Sequence, residues 1–210
     1  MALDLEEQEQ LAALKAWWNQ NGGFVLLAIS AAAIAIAGWQ AWRWVQGSQA
    51  LQASALYETV VKAAQRGDAK AVRDAAGTLV ESYPRTLYAS MGALVSARFH
   101  FERRDLKSAR AQLEWVAERS PAEDFRDLAR LRLAAVLLDE KAYDQALKVL
   151  EAKHAAAFDA QYAALKGDVL VAKNQAADAK AAYKLALEKA DKRDGAFRDS
   201  IRMRLEALGG

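Results

Sequence analysis

The sequence predicts an all-α protein, with one N-terminal transmembrane helix followed by a solenoid of helical repeats. Only two prolines occur in 210 residues, and hydrophobic residues make up 53% of the chain. This composition is typical of a helical protein with an ample core. An uncharged apolar run lies near the N-terminus, and small residues recur beyond it at a nearly constant interval. These observations together predict the fold class.

The first two elements are an acidic N-terminal segment, residues 1–21, and an apolar span, residues 22–45. From Ala16 to Trp42 no side chain is charged. The 23 residues from Gly22 to Trp44 rise about 34 Å as a helix, close to the roughly 30 Å of a bilayer's hydrocarbon core. We therefore predict a single transmembrane helix over residues 22–45.

Tryptophan marks both ends of the apolar span. Five of the six tryptophans flank it, two before and three after: Trp17, Trp18, Trp39, Trp42 and Trp44. An indole ring has an apolar body and one N–H donor, so it settles at the headgroup level of a membrane. We expect these five side chains to contact membrane lipid as interface anchors.

A cleaved signal peptide is the alternative interpretation of the span. Ala35 and Ala37 form an Ala-x-Ala pattern behind an apolar stretch, and cleavage after Ala37 would release a secreted soluble repeat protein. A signal peptide begins with a short basic region, whereas this chain begins with a longer acidic one. An uncleaved anchor is therefore favoured.

The orientation of the span is not decided by its flanking charges. Lys15 precedes the span and Arg43 follows it, with Lys62 and Arg66 further on. The excess of positive charge on either side is too small for the positive-inside rule.

Residues 46–210 are predicted to form the helical repeats. Ala109, Ala146 and Ala179 recur at intervals of 37 and 33 residues. Each is followed four residues later by a larger side chain and preceded twelve residues earlier by a small one. These two sets are Leu113, Leu150 and Tyr183, and Ala97, Ala134 and Gly167. A period near 34 residues made of two helices, with small residues at the crossing, is typical of tetratricopeptide (TPR) repeats. Segment 48–84 fits as a further unit, and residues 198–208 as a closing helix.

The predicted helices carry apolar stripes, and the first helix of each repeat unit is expected to line a groove. Residues 122–140 place Leu128, Leu131, Ala135 and Leu138 at helical spacing, which predicts a core stripe. The residues expected to face a groove that binds a partner are Leu94, Arg98, Phe101, Leu131, Leu138 and Val171. The competing interpretation is that several of them pack against the neighbouring helix.

The sequence contains no motif that predicts an enzyme, a cofactor site or a metal site. His100 and His154 fall in different repeat units, and no phosphate-binding loop or nucleophile elbow occurs. Carboxylates such as Asp124, Asp127, Glu140 and Asp144 are expected on solvated faces. A net charge of +2 argues against a nucleic-acid partner, and the lack of cysteine excludes thiolate zinc sites. We therefore predict that the protein has no catalytic residue and that it binds other proteins.

The chain resembles the YfgM-like family of ancillary subunits of the SecYEG translocon. The resemblance is carried by "EQEQLAALKAWWNQNG" running into the alanine-rich span, by "GWQAWRW" and "QGSQALQASALYETV", and by the degenerate repeats. It implies a cytoplasmic N-terminus, one inner-membrane span and a periplasmic TPR-like domain. It also implies association with the translocon and with a membrane-anchored periplasmic peptidyl-prolyl isomerase chaperone during protein export.

A different function remains open from the residues alone. The repeats could belong to a general envelope scaffold that assembles another membrane complex, such as one for cytochrome maturation or cell-wall synthesis. In a variant of this hypothesis, the repeat domain faces the cytoplasm and controls a stress-response regulator.

Overall fold

The structure is a computed structural model that describes residues 5–209. Within this range it is helical and contains no strand, which confirms the all-α prediction. The helices are α1 (Leu5–Arg66), α2 (Ala69–Ser82), α3 (Leu87–Glu102), α4 (Leu106–Arg119), α5 (Glu123–Asp139), α6 (Tyr143–Leu150), α7 (Asp159–Ala172), α8 (Ala176–Lys189) and α9 (Gly195–Ala207). The chain divides into two compact units, residues 1–49 and 50–210.

The first unit contains the N-terminal part of α1. Its large apolar side chains, such as Phe24 and Ile34, are exposed. A helix with this much unburied apolar surface is stable when lipid covers it. By length and composition, α1 is the one helix among the described residues that could cross a membrane.

The second unit is an array of helix pairs. The C-terminal part of α1 shares an apolar cluster with α2 and forms the first pair with it. The pairs α3 with α4, α5 with α6, and α7 with α8 follow, and α9 closes the array. Consecutive helices from α2 onward pack together, and α5 also contacts both α3 and α7. The first helices of successive pairs therefore form one continuous layer, as in a TPR array.

The predicted crossing points are confirmed in the core. Ala109, Ala146 and Ala179 are fully buried, and the six residues paired with them are buried as well. Small side chains at a crossing let two helix backbones approach closely. In the last pair, Gly167 on α7 faces the ring of Tyr183 on α8.

Each helix pair turns through the same backbone geometry. Gly67, Arg104, Lys141 and Asn174 adopt left-handed conformations, with φ of 77°, 63°, 61° and 61°. The next residue then donates its N–H to a carbonyl five positions back, as Asp105 does to His100 at 3.0 Å. This 6→1 hydrogen bond is the Schellman pattern, which satisfies a carbonyl at the helix end. The sequences "RGD" (residues 66–68) and "RRD" (residues 103–105) are thus the turns between paired helices.

We expect glycine to be more stable than alanine at the first of these turns but less stable than alanine inside α2. Gly67→Ala places a side chain at positive φ, with its Cβ 2.9 Å from Arg103 Nη2, so the free energy of unfolding falls by about 1–2 kcal/mol. Gly77→Ala, in open space within α2, raises it by about 0.5–1 kcal/mol because alanine favours a helix. Urea unfolding followed by far-ultraviolet circular dichroism measures both. Effects of the same sign would contradict the assigned turn.

The buried face of α5 differs from the predicted stripe. Leu128, Leu131, Ala135 and Leu138 are half-buried at the edge of the core. The fully buried apolar residues of α5 are Ala129, Leu133, Ala134, Val136 and Leu137. The helix contacts α3, α4, α6 and α7, so the apolar period alone does not distinguish its central face from its flanks.

Candidate protein-interaction site

The layer of first helices carries a cleft between α3 and α5. It has a volume of about 330 Å³, and its lining residues are Ala97, Arg98, Phe101, Leu113, Arg132, Ala135 and Val136. Ala97, Leu113 and Val136 are buried and form an apolar floor. Phe101 and Ala135 are half-buried, and the two arginines are exposed. The α3/α5 cleft therefore combines an apolar floor with a cationic rim.

A second cleft lies on the other side of α3, against the C-terminal part of α1. It has a volume of about 350 Å³ and is lined by Tyr57, Val61, Ala64, Gln65, Val95, Arg98, Phe99, Glu102 and Arg103. Arg98 lines both clefts. The two clefts thus adjoin at Arg98 and form one strip across three first helices.

The structure brings two of the six proposed groove residues together. Arg98 and Phe101 line the α3/α5 cleft. Leu94 is 7% exposed and belongs to the central core, and Leu131 and Leu138 pack against that core. Val171 is 38% exposed on α7 and lines neither cleft.

Arg132 and Ala135 are the cleft residues that sequence reasoning missed. In the repeat register, Leu94 corresponds to Leu131, Val95 to Arg132 and Arg98 to Ala135. Successive residues point roughly 100° apart around a helix. The position after Leu94 and Leu131 therefore faces a cleft, while Leu94 turns into the core. Val95 lines the cleft against α1, and Arg132 lines the α3/α5 cleft. The charged side chain of Arg132 within an otherwise apolar stretch was the sequence signal that could have indicated this cleft position.

The two arginines of the cleft have different surroundings. Arg98 Nε donates to Glu102 Oε1 at 2.7 Å, and this pairing raises the pKa of Arg98. Arg132 has no hydrogen bond or ion pair within the part of the chain that the structure describes. Although much of the Arg132 side chain is exposed, the cleft walls partly desolvate its charge. This desolvation, followed by the charge of Arg98, lowers the pKa of Arg132. The cleft therefore holds one paired and one unpaired cation.

Asp127 corrects an expectation, because it lies on no solvated face. Its side chain is 0% exposed. Oδ1 accepts from Arg130 Nη1 at 2.9 Å, and Oδ2 accepts from the N–H of Ala155 at 2.9 Å. A buried carboxylate is tolerated when charge and hydrogen bonds compensate for lost hydration. Asp144, in contrast, is exposed as predicted.

Further contacts around Asp127 hold the connection between α6 and α7. The Tyr162 hydroxyl donates to the carbonyl of Asp127 at 2.8 Å, and its ring stacks on His154 at 3.8 Å between centroids. Burial, followed by the charge of Asp127, raises the pKa of Tyr162 to about 12, so the phenol remains a donor at neutral pH. We call Asp127, Arg130, His154, Ala155 and Tyr162 the Asp127 cluster. It anchors residues 151–158 to α5 and has a structural role.

The two histidines lie apart, each beside one carboxylate. His100 is buried, with Nδ1 2.9 Å from Asp105 Oδ2, and His154 lies in the Asp127 cluster. Among the described residues, no three His, Asp or Glu side chains are arranged to hold a metal ion. The two first-helix clefts offer apolar surface and charged groups to a ligand.

The five tryptophans proposed as membrane anchors are all exposed on α1, from 49% for Trp18 to 76% for Trp44. Trp18 and Trp39 are separated by about 30 Å along the helix axis, which matches a bilayer's apolar thickness. The guanidinium of Arg43 lies over the Trp39 ring, 5.0 Å from its centroid. Their contact with lipid remains a prediction.

These features define a class of protein: helical-repeat interaction proteins with one candidate membrane span. A family model for a tetratricopeptide repeat-like domain matches residues 15–210. The chain is 32% identical to the ancillary SecYEG translocon subunit of Haemophilus influenzae over 186 residues, covering 89% of this chain and 91% of the relative. It is 30% identical to the subunit of that name in Neisseria gonorrhoeae, covering 99% and 100% of the two chains. The corresponding Escherichia coli protein is 26% identical over 87% of each chain.

The chain therefore belongs to the tetratricopeptide repeat-like family of ancillary SecYEG translocon subunits, and the resemblance to the YfgM-like family is confirmed. This family is of the scaffold kind. The family and the candidate span together fit a single-pass protein of the inner membrane.

Proposed function

We propose that this protein is an ancillary subunit of the SecYEG translocon that recruits other proteins to the channel without catalysing a reaction. The observation that carries the proposal is the extent of the similarity. The relative from Neisseria gonorrhoeae matches over 209 residues, which include both the candidate span and the repeats. Similarity to a relative over the repeats alone would support only a much less specific function.

The proposed topology has three parts. Residues 1–21 lie in the cytoplasm, residues 22–45 cross the inner membrane, and residues 46–210 form a periplasmic TPR-like domain. The acidic segment is short, and a long C-terminal domain translocates largely regardless of its charge. Tethering beside the channel replaces a diffusive search by a high effective concentration.

The proposed partner of the TPR-like domain, besides the translocon, is a membrane-anchored periplasmic peptidyl-prolyl isomerase chaperone. The strip of first-helix clefts supports this role, since it offers apolar surface and charge to a protein segment. The complex would assist proteins that emerge from the channel.

We expect the span to be required for association with the translocon. Replacing residues 1–45 with a cleavable signal peptide should leave the helical domain folded, because its core lies within residues 53–201. The same replacement should abolish co-purification with SecYEG, measured by quantitative immunoblotting after mild solubilisation of the membranes. Protease access to the C-terminus in spheroplasts checks the topology of the unaltered protein.

A matched control replaces residues 22–45 with an unrelated transmembrane helix of equal length. Loss of association in both variants would assign the contact to the native span, and loss only in the released domain would assign it to tethering. Undiminished co-purification of the released domain would contradict the proposal and place the contact in the repeats.

A further inference from the structure

The α3/α5 cleft differs in charge from every other cleft described in the repeat domain. Its lining holds two cations and no carboxylate. The four other clefts carry carboxylates beside their cations, namely Glu102, Glu114 with Glu118, Glu151 with Asp178, and Asp159. Every other described cleft therefore offers its cations at least one carboxylate, and only the α3/α5 cleft has cations without a carboxylate in its lining.

Arg132 is the centre of this imbalance. Its guanidinium has five N–H donors in a planar fork, and none meets an acceptor among the groups that the structure describes. Arg98, which lines the same cleft, directs its Nε to Glu102 on the α1/α3 side. Desolvation in the cleft and the nearby charge of Arg98 are both unfavourable for the Arg132 cation until an anion arrives.

The shape of the cleft adds a second requirement. Ala97, Leu113 and Val136 form a buried apolar floor, and the ring of Phe101 is half-buried beside it. A simple anion would leave this floor exposed to water, while an apolar side chain would cover it. The best complement is therefore an apolar group with a carboxylate next to it.

We propose that the α3/α5 cleft binds a segment of a partner protein by accepting an apolar side chain on its floor and an adjacent carboxylate at Arg132 and Arg98. This rests on the proposed function in that the ligand is a protein. Because Arg98 also lines the α1/α3 cleft, the rest of an extended segment can continue along that strip toward Tyr57 and Val61. Acidic segments that contain an aromatic or large aliphatic residue are the predicted class of ligand.

The test measures peptide binding to the full chain in nanodiscs of zwitterionic lipid. The probe is a ten-residue peptide with a central Phe-Glu-Glu in a Gly/Ser background and a neutral dye, followed by fluorescence anisotropy. Control peptides carry Ser-Glu-Glu, Phe-Gln-Gln or Phe-Lys-Lys at the centre. We expect saturable binding of Phe-Glu-Glu, at least about 10-fold weaker binding of each control peptide, and weakening with added salt.

Substitution of the arginine provides the residue-specific arm. Arg132→Glu should weaken Phe-Glu-Glu binding by about 10-fold or more and make Phe-Lys-Lys the preferred peptide, because the charge at the rim is reversed. Arg73→Glu, an identical charge change on the exposed face of α2, should alter binding less than 2-fold. A reversed preference also shows that the Arg132→Glu variant is folded.

Several results would overturn the proposal. Equal binding of Ser-Glu-Glu would reduce the site to general anion attraction, and equal binding of Phe-Gln-Gln would leave only an apolar surface. Equal effects of Arg132→Glu and Arg73→Glu, or no binding at about 1 mM peptide, would exclude the cleft. None of these measurements involves SecYEG, so their outcome is separate from that of the co-purification experiment.

Discussion

Removing the Asp127 carboxylate should destabilise the repeat domain more than any other single truncation of a charged side chain. Asp127→Ala removes the carboxylate oxygens that lie 2.9 Å from the Arg130 guanidinium and from the Ala155 N–H. Arg130 then keeps only the carbonyls of Ala117 and Lys153, at 3.4 Å. Breaking a buried charge pair by removing one partner costs about 3–5 kcal/mol. We expect a loss of this size in the free energy of unfolding, measured by urea titration of the full chain in detergent with far-ultraviolet circular dichroism.

The location of the effect provides a sharper check than its size. The Asp127 cluster holds residues 151–158, so their amides and those of α7 should lose protection from hydrogen exchange before those of α2 and α3. Asp74→Ala, on an exposed position of α2, should change stability by less than about 0.5 kcal/mol. Similar losses in the two variants would show that the buried cluster contributes little.

Gly167→Ala should be destabilising although alanine is the better helix former. A Cβ at this position would overlap ring carbons of Tyr183. That ring cannot easily move, because its hydroxyl donates to Asp168 Oδ1 at 2.8 Å and Asp168 in turn pairs with Arg204 at 2.8 Å. Overpacking of this kind costs about 1–3 kcal/mol. Thermal and urea unfolding of the variant measure the loss.

A second substitution should rescue the first. In the two preceding repeat units the equivalent pairs are Ala97 with Leu113 and Ala134 with Leu150. Gly167→Ala combined with Tyr183→Leu recreates this pairing, so the double variant should be more stable than the sum of the single effects predicts, by about 1–3 kcal/mol. Additive effects would mean that Gly167 and Tyr183 are not a packing pair.

The helical pairs could be predicted because their determinants are local and repeat. Small residues at Ala109, Ala146 and Ala179, with their partners twelve residues before, mark the crossings without any knowledge of long-range contacts. Pro84 and Pro121 mark chain reversals between pairs. The determinants of the candidate span are equally local, since they are its length and the absence of charge.

The candidate site and the Asp127 cluster depend on contacts that sequence spacing does not contain. Leu94 and Val95 differ by one position, yet the first faces the core and the second lines a cleft. Asp127 resembles any charged residue of an amphipathic helix until the chain at Ala155 returns to cover it. These are properties of the tertiary packing around α5, which has neighbours on several sides, so a single apolar period cannot reveal them.

The distribution of indole rings has an optical consequence. Five of the six tryptophans are exposed on α1, so the intrinsic emission of the whole protein is dominated by the polarity around the span. Trp115 is the one tryptophan that packs against the repeat core. It contacts the apolar cluster formed by α1, α2 and α3 and also the one centred on α4 and α5. Exchanging the five others for phenylalanine would leave one emitter at the junction of two repeat units. The native emission would then report bilayer insertion, and the exchanged protein would report separation of the repeats.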